Sequence, residues 1–209
     1  MLETRVLLLR HAETAAPGFF HGAESDIGLG ERGIVQANAV AQRLAPLHPS
    51  SVYCSAMKRA IDTAQPIASA CGLTPRIEPD LHERKMGPLS GQSRDDGFAT
   101  YAEVRSRWIA GEVEYSHEGG ESFAAIARRV VPIFLRITVE NAGQTVVVVA
   151  HGVVIRVLLA SLLPGRGHSD FAAFAIDNVA VNDLRFDGQT WTPLALNQRS
   201  VSDDDSLSW

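Results

Sequence analysis

Three polar clusters in this sequence combine residue types suited to holding a phosphate. In Arg10-His11-Ala12-Glu13-Thr14 an arginine and a histidine directly follow the apolar run Val6-Leu7-Leu8-Leu9. Burying such a pair costs stability unless each finds a partner. A phosphate supplies one, because arginine's planar fork suits its oxygens and an adjacent neutral imidazole is a nucleophile toward phosphorus. A strand-end pair bonded to backbone is the plainer alternative. Ser55 to Ala64 carries Arg59 in the first turn of a helical pattern, near the positive end, where a cation is unfavourable unless an anion binds beside it. His151-Gly152 follows Val146 to Ala150 at another helix start, where backbone N–H groups favour an anion.

The elements that must position these groups alternate. Val6 to Leu9 has the continuous apolar pattern of a strand buried on both faces. Glu31 to Leu44 repeats apolar residues at helical spacing and is closed by Pro46 and Pro49. Ser51 to Cys54 predicts a second strand, and Met57 to Ala70 a helix ending at Gly72. Prolines and glycines among mixed charges make Thr74 to Gly97 a loop. Tyr101 to Ile109 and Glu121 to Val139 predict helices, Thr145 to Val149 a strand, and Val153 to Leu163 a helix stopped by Pro164-Gly165. Phe171 to Leu196 suggests a strand and a closing hairpin turning at Asp187-Gly188. The order implies an α/β three-layer sandwich, a mostly parallel central sheet with helices on both faces. Ligands of such sheets bind beyond the carboxyl ends of the strands, where all three clusters fall. One domain over 1–199 is expected, followed by a disordered acidic tail over 200–209 with three consecutive aspartates.

Other patterns carry less. Gly28-Leu29-Gly30-Glu31-Arg32-Gly33 matches a dinucleotide fingerprint, but no strand precedes it and no acid follows between Glu31 and Asp62, so it is a loop entering a helix. His11 and His151 lack the carboxylates or spacing of a metal centre, and Arg10 would repel a cation. His48, His117 and His168 lie in polar loops and are expected in solvent, while His82 is either structural or substrate-facing. Tyr101, Arg105, Arg107 and Trp108 form a helical stripe that is either a substrate mouth or a packed helix face.

Taken together, the motifs resemble the histidine phosphatase superfamily, also called phosphoglycerate mutase-like. Residues 10–14 resemble its R-H-G-E-T signature, and Ser55 to Ala64 its S-x-x-x-R-A-x-x-T-A element. Leu81-His82-Glu83 with Gly87 and Gly91 resembles its acid loop, Gly120-Glu121-Ser122 its G-E-S helix start, and His151-Gly152 its second histidine. The resemblance implies a phosphoglycerate mutase-like fold and a phosphohistidine formed on His11, with Arg10, Arg59 and His151 holding the phosphoryl oxygens. That set matches a transition state whose charge spreads over three oxygens. Glu83 would protonate the leaving oxygen, a role served by partial burial or a nearby phosphate charge; Glu78 and Asp80 are rival acids. Two positions depart from the pattern. Ala12 stands for the usual glycine, and Pro17 for an asparagine that contacts phosphate, which leaves His21 or Thr14 to compensate. Gly152 is expected to offer its backbone to the phosphate.

The implied activity is a phosphatase without cofactor or metal, releasing inorganic phosphate from a small phosphorylated metabolite. A mutase shares the whole catalytic set, but its relatives resemble longer chains with segments that shield the phosphoenzyme. A silent phospholigand-binding module would have lost the nucleophile or acid, and both are present. A net charge of -5 without a Lys/Arg cluster argues against nucleic acid or an anionic membrane as partner. The acid at Glu3 and the short apolar run after it do not make an export signal, and two cysteines fit a reducing cytoplasm. The apolar stretch from Thr145 to Leu163 carries His151 and Arg156, both costly in lipid. A homodimer would need an exposed apolar edge near the tail.

Overall fold

A computed structural model describes residues 2–199; the expected acidic tail lies outside the described residues. Six strands form one sheet in the order β3-β2-β4-β1-β5-β6. β1 (Thr4–Arg10) lies parallel to β4 (Thr145–Ala150), which lies parallel to β2 (Ser51–Ser55), and β2 to the short β3 (Arg76–Glu78). β5 (Val181–Phe186) and β6 (Trp191–Gln198) close the far side as antiparallel strands. The α/β sandwich with a mostly parallel sheet is therefore present, with an antiparallel hairpin at one edge. β6, at that edge, exposes Leu194 and Leu196.

Alternation along the buried strands divides the core between two faces, as the two-residue period of a strand requires. Val6, Leu8, Val146, Val148 and Ala150 pack toward α4 (Phe123–Glu140) and α5 (Gly152–Leu162). Leu7, Leu9, Val147 and Val149 pack toward α1 (Glu31–Leu44) and α2 (Lys58–Ala70). Covering both faces explains why Val6 to Leu9 and Val146 to Val149 are apolar without interruption. Among the described residues no helix is long and apolar enough to cross a membrane.

Two segments differ from the sequence reading. α3 runs Arg94–Ile109 and so begins inside the expected loop, because the Ser93 hydroxyl caps it by accepting from the Asp96 N–H at 3.1 Å. Short 3₁₀ turns and β3 occupy much of the rest of that loop. Phe171, Phe174 and Ile176 form no strand; they are buried in irregular turns, where Phe171 packs edge-on against Trp108 at 5.2 Å.

The glycine-rich run before α1 is the helix-entry loop expected. Gly30 donates its N–H to the Glu13 carbonyl, and Gly33 packs its bare Cα against that same carbonyl. A Cβ at residue 33 would collide with the Glu13 oxygen. Gly33→Ala is therefore expected to push α1 off the segment carrying His11 and to cost about 1–3 kcal/mol. A lower urea midpoint at unchanged slope is the expected reading, and an unaltered midpoint would contradict the packing.

Candidate active site

The carboxyl ends of β1, β2 and β4 converge, and each delivers one cluster. His11 follows β1 and is 5% exposed. Its Nδ1 lies 2.7 Å from the Ala12 carbonyl, which can only accept. Nδ1 therefore carries the proton, and Nε2 keeps its lone pair. The Ala12 N–H donates to the Thr63 hydroxyl at 2.9 Å, and that hydroxyl donates to the Arg59 carbonyl at 2.7 Å, so β1 and α2 are joined behind the imidazole. Among the described non-glycine residues only His48, Val179 and Asn197 have positive φ. Ala12 thus needs none of glycine's freedom and takes its place without strain.

His151, at the start of α5, is fully buried, its ring centroid 5.2 Å from that of His11. Its Nε2 meets the Ser55 hydroxyl at 2.8 Å and its Nδ1 has no partner. Arg59 is also fully buried. Its terminal nitrogens donate to the carbonyls of Ser25, at 2.7 Å, and of His21 and Gly22, while Nε has no partner. Arg10 Nε is likewise buried and unpartnered, with Nη1 on the Ile176 carbonyl at 3.2 Å. Unpartnered buried nitrogens are rare in native structures and call for an explanation. An anion against His11 would supply one for Arg10, which lines the cavity there.

Burial pushes both imidazoles well below the ordinary histidine value near 6.5, with the Arg10 and Arg59 guanidiniums adding to the effect. Burial also lowers Arg10, to about 10, which leaves it charged at neutral pH. Because the folded histidines resist protonation, the unfolded chain binds more protons below about pH 6.5. Stability is therefore held above that range and lost as pH falls toward the depressed folded values. Thermal unfolding should show Tm dropping from about pH 7.5 to about pH 5, less steeply in His11→Asn. Parallel pH slopes would contradict this.

Glu83 is buried on the loop that faces α5. Its carboxylate accepts from the Arg84 N–H at 2.9 Å and the Val153 N–H at 3.3 Å, the latter in the first turn of α5 beside His151. The loop is held from three sides. Arg129 Nη1 donates to the carbonyls of Asp80 (2.6 Å) and His82 (3.0 Å), while its other nitrogens pair with Glu121. Glu121 accepts from the Lys85 N–H, and Glu24 from the N–H groups of Met86 and Gly87. The rival acids lie elsewhere: Glu78 pairs with Arg136 at 2.6 Å, and Asp80 is exposed.

A cavity of about 380 Å³ opens over this cluster, lined by Arg10, His11, Thr14, His21, Glu83 and Gly152 among the residues singled out above. Arg59 and His151 lie beneath it rather than on its wall. Thr14 reaches the wall, whereas both ring nitrogens of His21 are engaged, Nε2 on the Ala16 carbonyl and Nδ1 on the Ser25 hydroxyl. Of the helical stripe, Tyr101 and Arg105 line the cavity. Trp108 is buried in the core, and Arg107 pairs with Glu103 and Glu112. His82 is not on the wall, and His48 is exposed as expected. His117 and His168 are half-buried instead of solvated, and His168 bonds the Trp108 carbonyl at 2.9 Å. The sequence reading missed Arg156 and Asn178 on the wall. Arg156 sits four residues after Gly152, on the same face of α5, which was the available signal. Asn178, whose amide donates to the His11 carbonyl at 2.8 Å, comes from the irregular region after residue 165 and offered none. Among the described residues no group of three or more His, Cys, Asp or Glu side chains could hold a metal ion.

Compared with known protein families, residues 6–199 match the histidine phosphatase superfamily (branch 1). The chain belongs to that superfamily. It is 33% identical over 198 residues to the metal-independent phosphoserine phosphatase of Arabidopsis thaliana, covering 92% of this chain and 82% of the relative. It is also 33% identical over 195 residues to phosphoserine phosphatase 1 of Hydrogenobacter thermophilus, covering 92% of each. The fold superposes on a mycobacterial glucosyl-3-phosphoglycerate phosphatase with a TM-score of 0.82 at 27% identity, covering 94% of this chain and all of the other. This histidine phosphatase is a phosphoric monoester hydrolase.

Proposed function

We propose that the enzyme hydrolyses a small phosphorylated metabolite in two steps through a phosphohistidine on His11, within a catalytic unit spanning 1–199. His11 Nε2 attacks phosphorus and the ester P–O bond breaks, the leaving oxygen taking the proton of Glu83. Water then attacks phosphorus and gives its proton to Glu83, the P–N bond breaks, and inorganic phosphate leaves. Arg10, Arg59 and His151 hold the oxygens on which charge develops, with Thr14 and the Gly152 backbone beside them; His21 holds the loop they face.

The observation that carries the reading is the His11 imidazole, fixed by the Ala12 carbonyl in the tautomer that leaves Nε2 nucleophilic, beside three buried nitrogens without partners. A protonated imidazole could not attack, and burial keeps this one neutral. The names of the relatives support a phosphomonoester substrate, and one of them a reaction without metal.

Phosphate release from p-nitrophenyl phosphate and a panel of metabolite esters, measured in EDTA, tests this. Turnover that survives chelation is expected. Turnover that appears only with added divalent metal would contradict it.

A further inference from the structure

The peptide unit that joins His11 to Ala12 is held at both polar ends by side chains from elsewhere in the fold. Its carbonyl accepts from the Asn178 amide at 2.8 Å, and its N–H donates to the Thr63 hydroxyl at 2.9 Å. Asn178 belongs to a clasp on the end of β1 formed by residues 176–179. Arg10 Nη1 donates to the Ile176 carbonyl, the Val179 N–H donates to the Arg10 carbonyl at 3.1 Å, and Arg10 and Asn178 form an isolated parallel bridge. The clasp is braced from behind. The Asp177 N–H donates to Asn197 Oδ1 at 2.9 Å, and the Asn197 amide donates back to the Asp177 carboxylate at 2.7 Å. The Asn197 N–H in turn donates to the side chain of the fully buried Asn182, whose amide donates to the Leu8 carbonyl of β1 at 3.1 Å. Val179 takes a φ of 52° in this clasp, a conformation that a β-branched residue adopts only where its surroundings impose it, and such strain gathers at functional sites.

We infer that Asn178 is a positioning residue for the nucleophile: its amide pins the peptide unit after His11 and thereby aims the imidazole. The inference rests on the reading of His11 as the attacking group. A peptide unit is planar, so bonds to its C=O and its N–H together fix its orientation. The His11 ring and the Ala12 carbonyl that holds its Nδ1 lie on opposite sides of this unit. A change in ψ of His11 or φ of Ala12 therefore moves one against the other and loosens the bond that leaves Nε2 free for phosphorus. Thr63 secures the N–H end from α2, and Asn178 secures the carbonyl end from the cavity wall, the side on which substrate arrives. Asn178 takes up no proton in either step, so its contribution is to geometry.

Asn178→Ala should lower kcat/KM by about tenfold to a hundredfold, the scale of a misaimed attacking group. The loss should be equal for p-nitrophenyl phosphate and an alkyl phosphate, since attack and not protonation of the leaving oxygen is impaired. Competitive inhibition by inorganic phosphate should be unchanged. The nitrogen NMR signals of His11 should pass from the single Nδ1–H tautomer of the wild type to a mixture of tautomers. Asn178→Ser, which keeps a shorter donor, should recover part of the rate, and the same readings on it decide the matter if Asn178→Ala does not fold. Unaltered kcat/KM, phosphate inhibition weakened as much as kcat/KM, or a single tautomer kept in the variant would overturn the role. If His11→Ala retains turnover, the nucleophile reading fails, and the tautomer comparison alone decides Asn178.

Discussion

His11→Ala is expected to lower turnover of any phosphomonoester by at least about a thousandfold, the scale on which removing a nucleophile acts when binding and electrostatics remain. The fold should persist. Among the described residues the only side-chain hydrogen bond of His11 is to the neighbouring Ala12 carbonyl, so the substitution breaks no long-range hydrogen bond and gives up only the ring contact with His151. The variant should keep its far-ultraviolet spectrum, and its Tm should be less sensitive to acid because one buried, reluctantly protonated imidazole is gone. Phosphate binding should survive, since Arg10, Arg59 and His151 remain. Turnover within about tenfold of wild type would place the nucleophile elsewhere.

Glu83→Gln should reduce kcat/KM, which reads phosphorylation of His11 and not the later hydrolysis in which Glu83 acts as base, by about a hundredfold to ten-thousandfold for alkyl phosphates, the range of a lost general acid. The loss should be far smaller for p-nitrophenyl phosphate, whose leaving group departs as a stable anion and needs no proton. The two clauses separate proton transfer from structure. Glutamine keeps the volume of the side chain in a loop held independently by Arg129, Glu121 and Glu24, so general misplacement would slow both substrates alike. Equal losses of kcat/KM for the two leaving groups would assign Glu83 to architecture instead of to protonation of the leaving oxygen.

Much of this site could be read from the sequence because its parts lie at junctions with strong local signatures. Uninterrupted apolar runs mark strands buried on both faces, and the polar residue that ends each run lies at the carboxyl edge of the sheet. Arg10-His11 and His151 were legible for that reason, and Arg59 because a cation in a helix's first turn opposes the helix dipole. Depth was not legible. Spacing along the chain cannot show that Arg59 and His151 lie under the cavity floor while Thr14 and Glu83 lie on its wall, since that depends on how far each element is inset. Pro17 illustrates a related limit. The sequence marks a missing side chain, whereas the structure shows that the residue's carbonyl accepts from Arg94. The buried turns carrying Phe171, Phe174 and Ile176 have apolar residues without strand period, because aromatic packing against Trp108 holds them in place of a backbone ladder. The start of α3 was hidden by counting prolines and glycines where the Ser93 to Asp96 cap carried the information.

The central claim is that phosphate passes through His11. Rapid acid-free quenching of wild-type enzyme with excess substrate, followed by peptide mass spectrometry, tests it most directly. The account predicts one phosphoryl group on the peptide containing His11, stable to alkali, lost in mild acid as a phosphoramidate is, and absent from His11→Ala. Turnover with no such adduct, or an acid-stable phosphate on another residue, would contradict it.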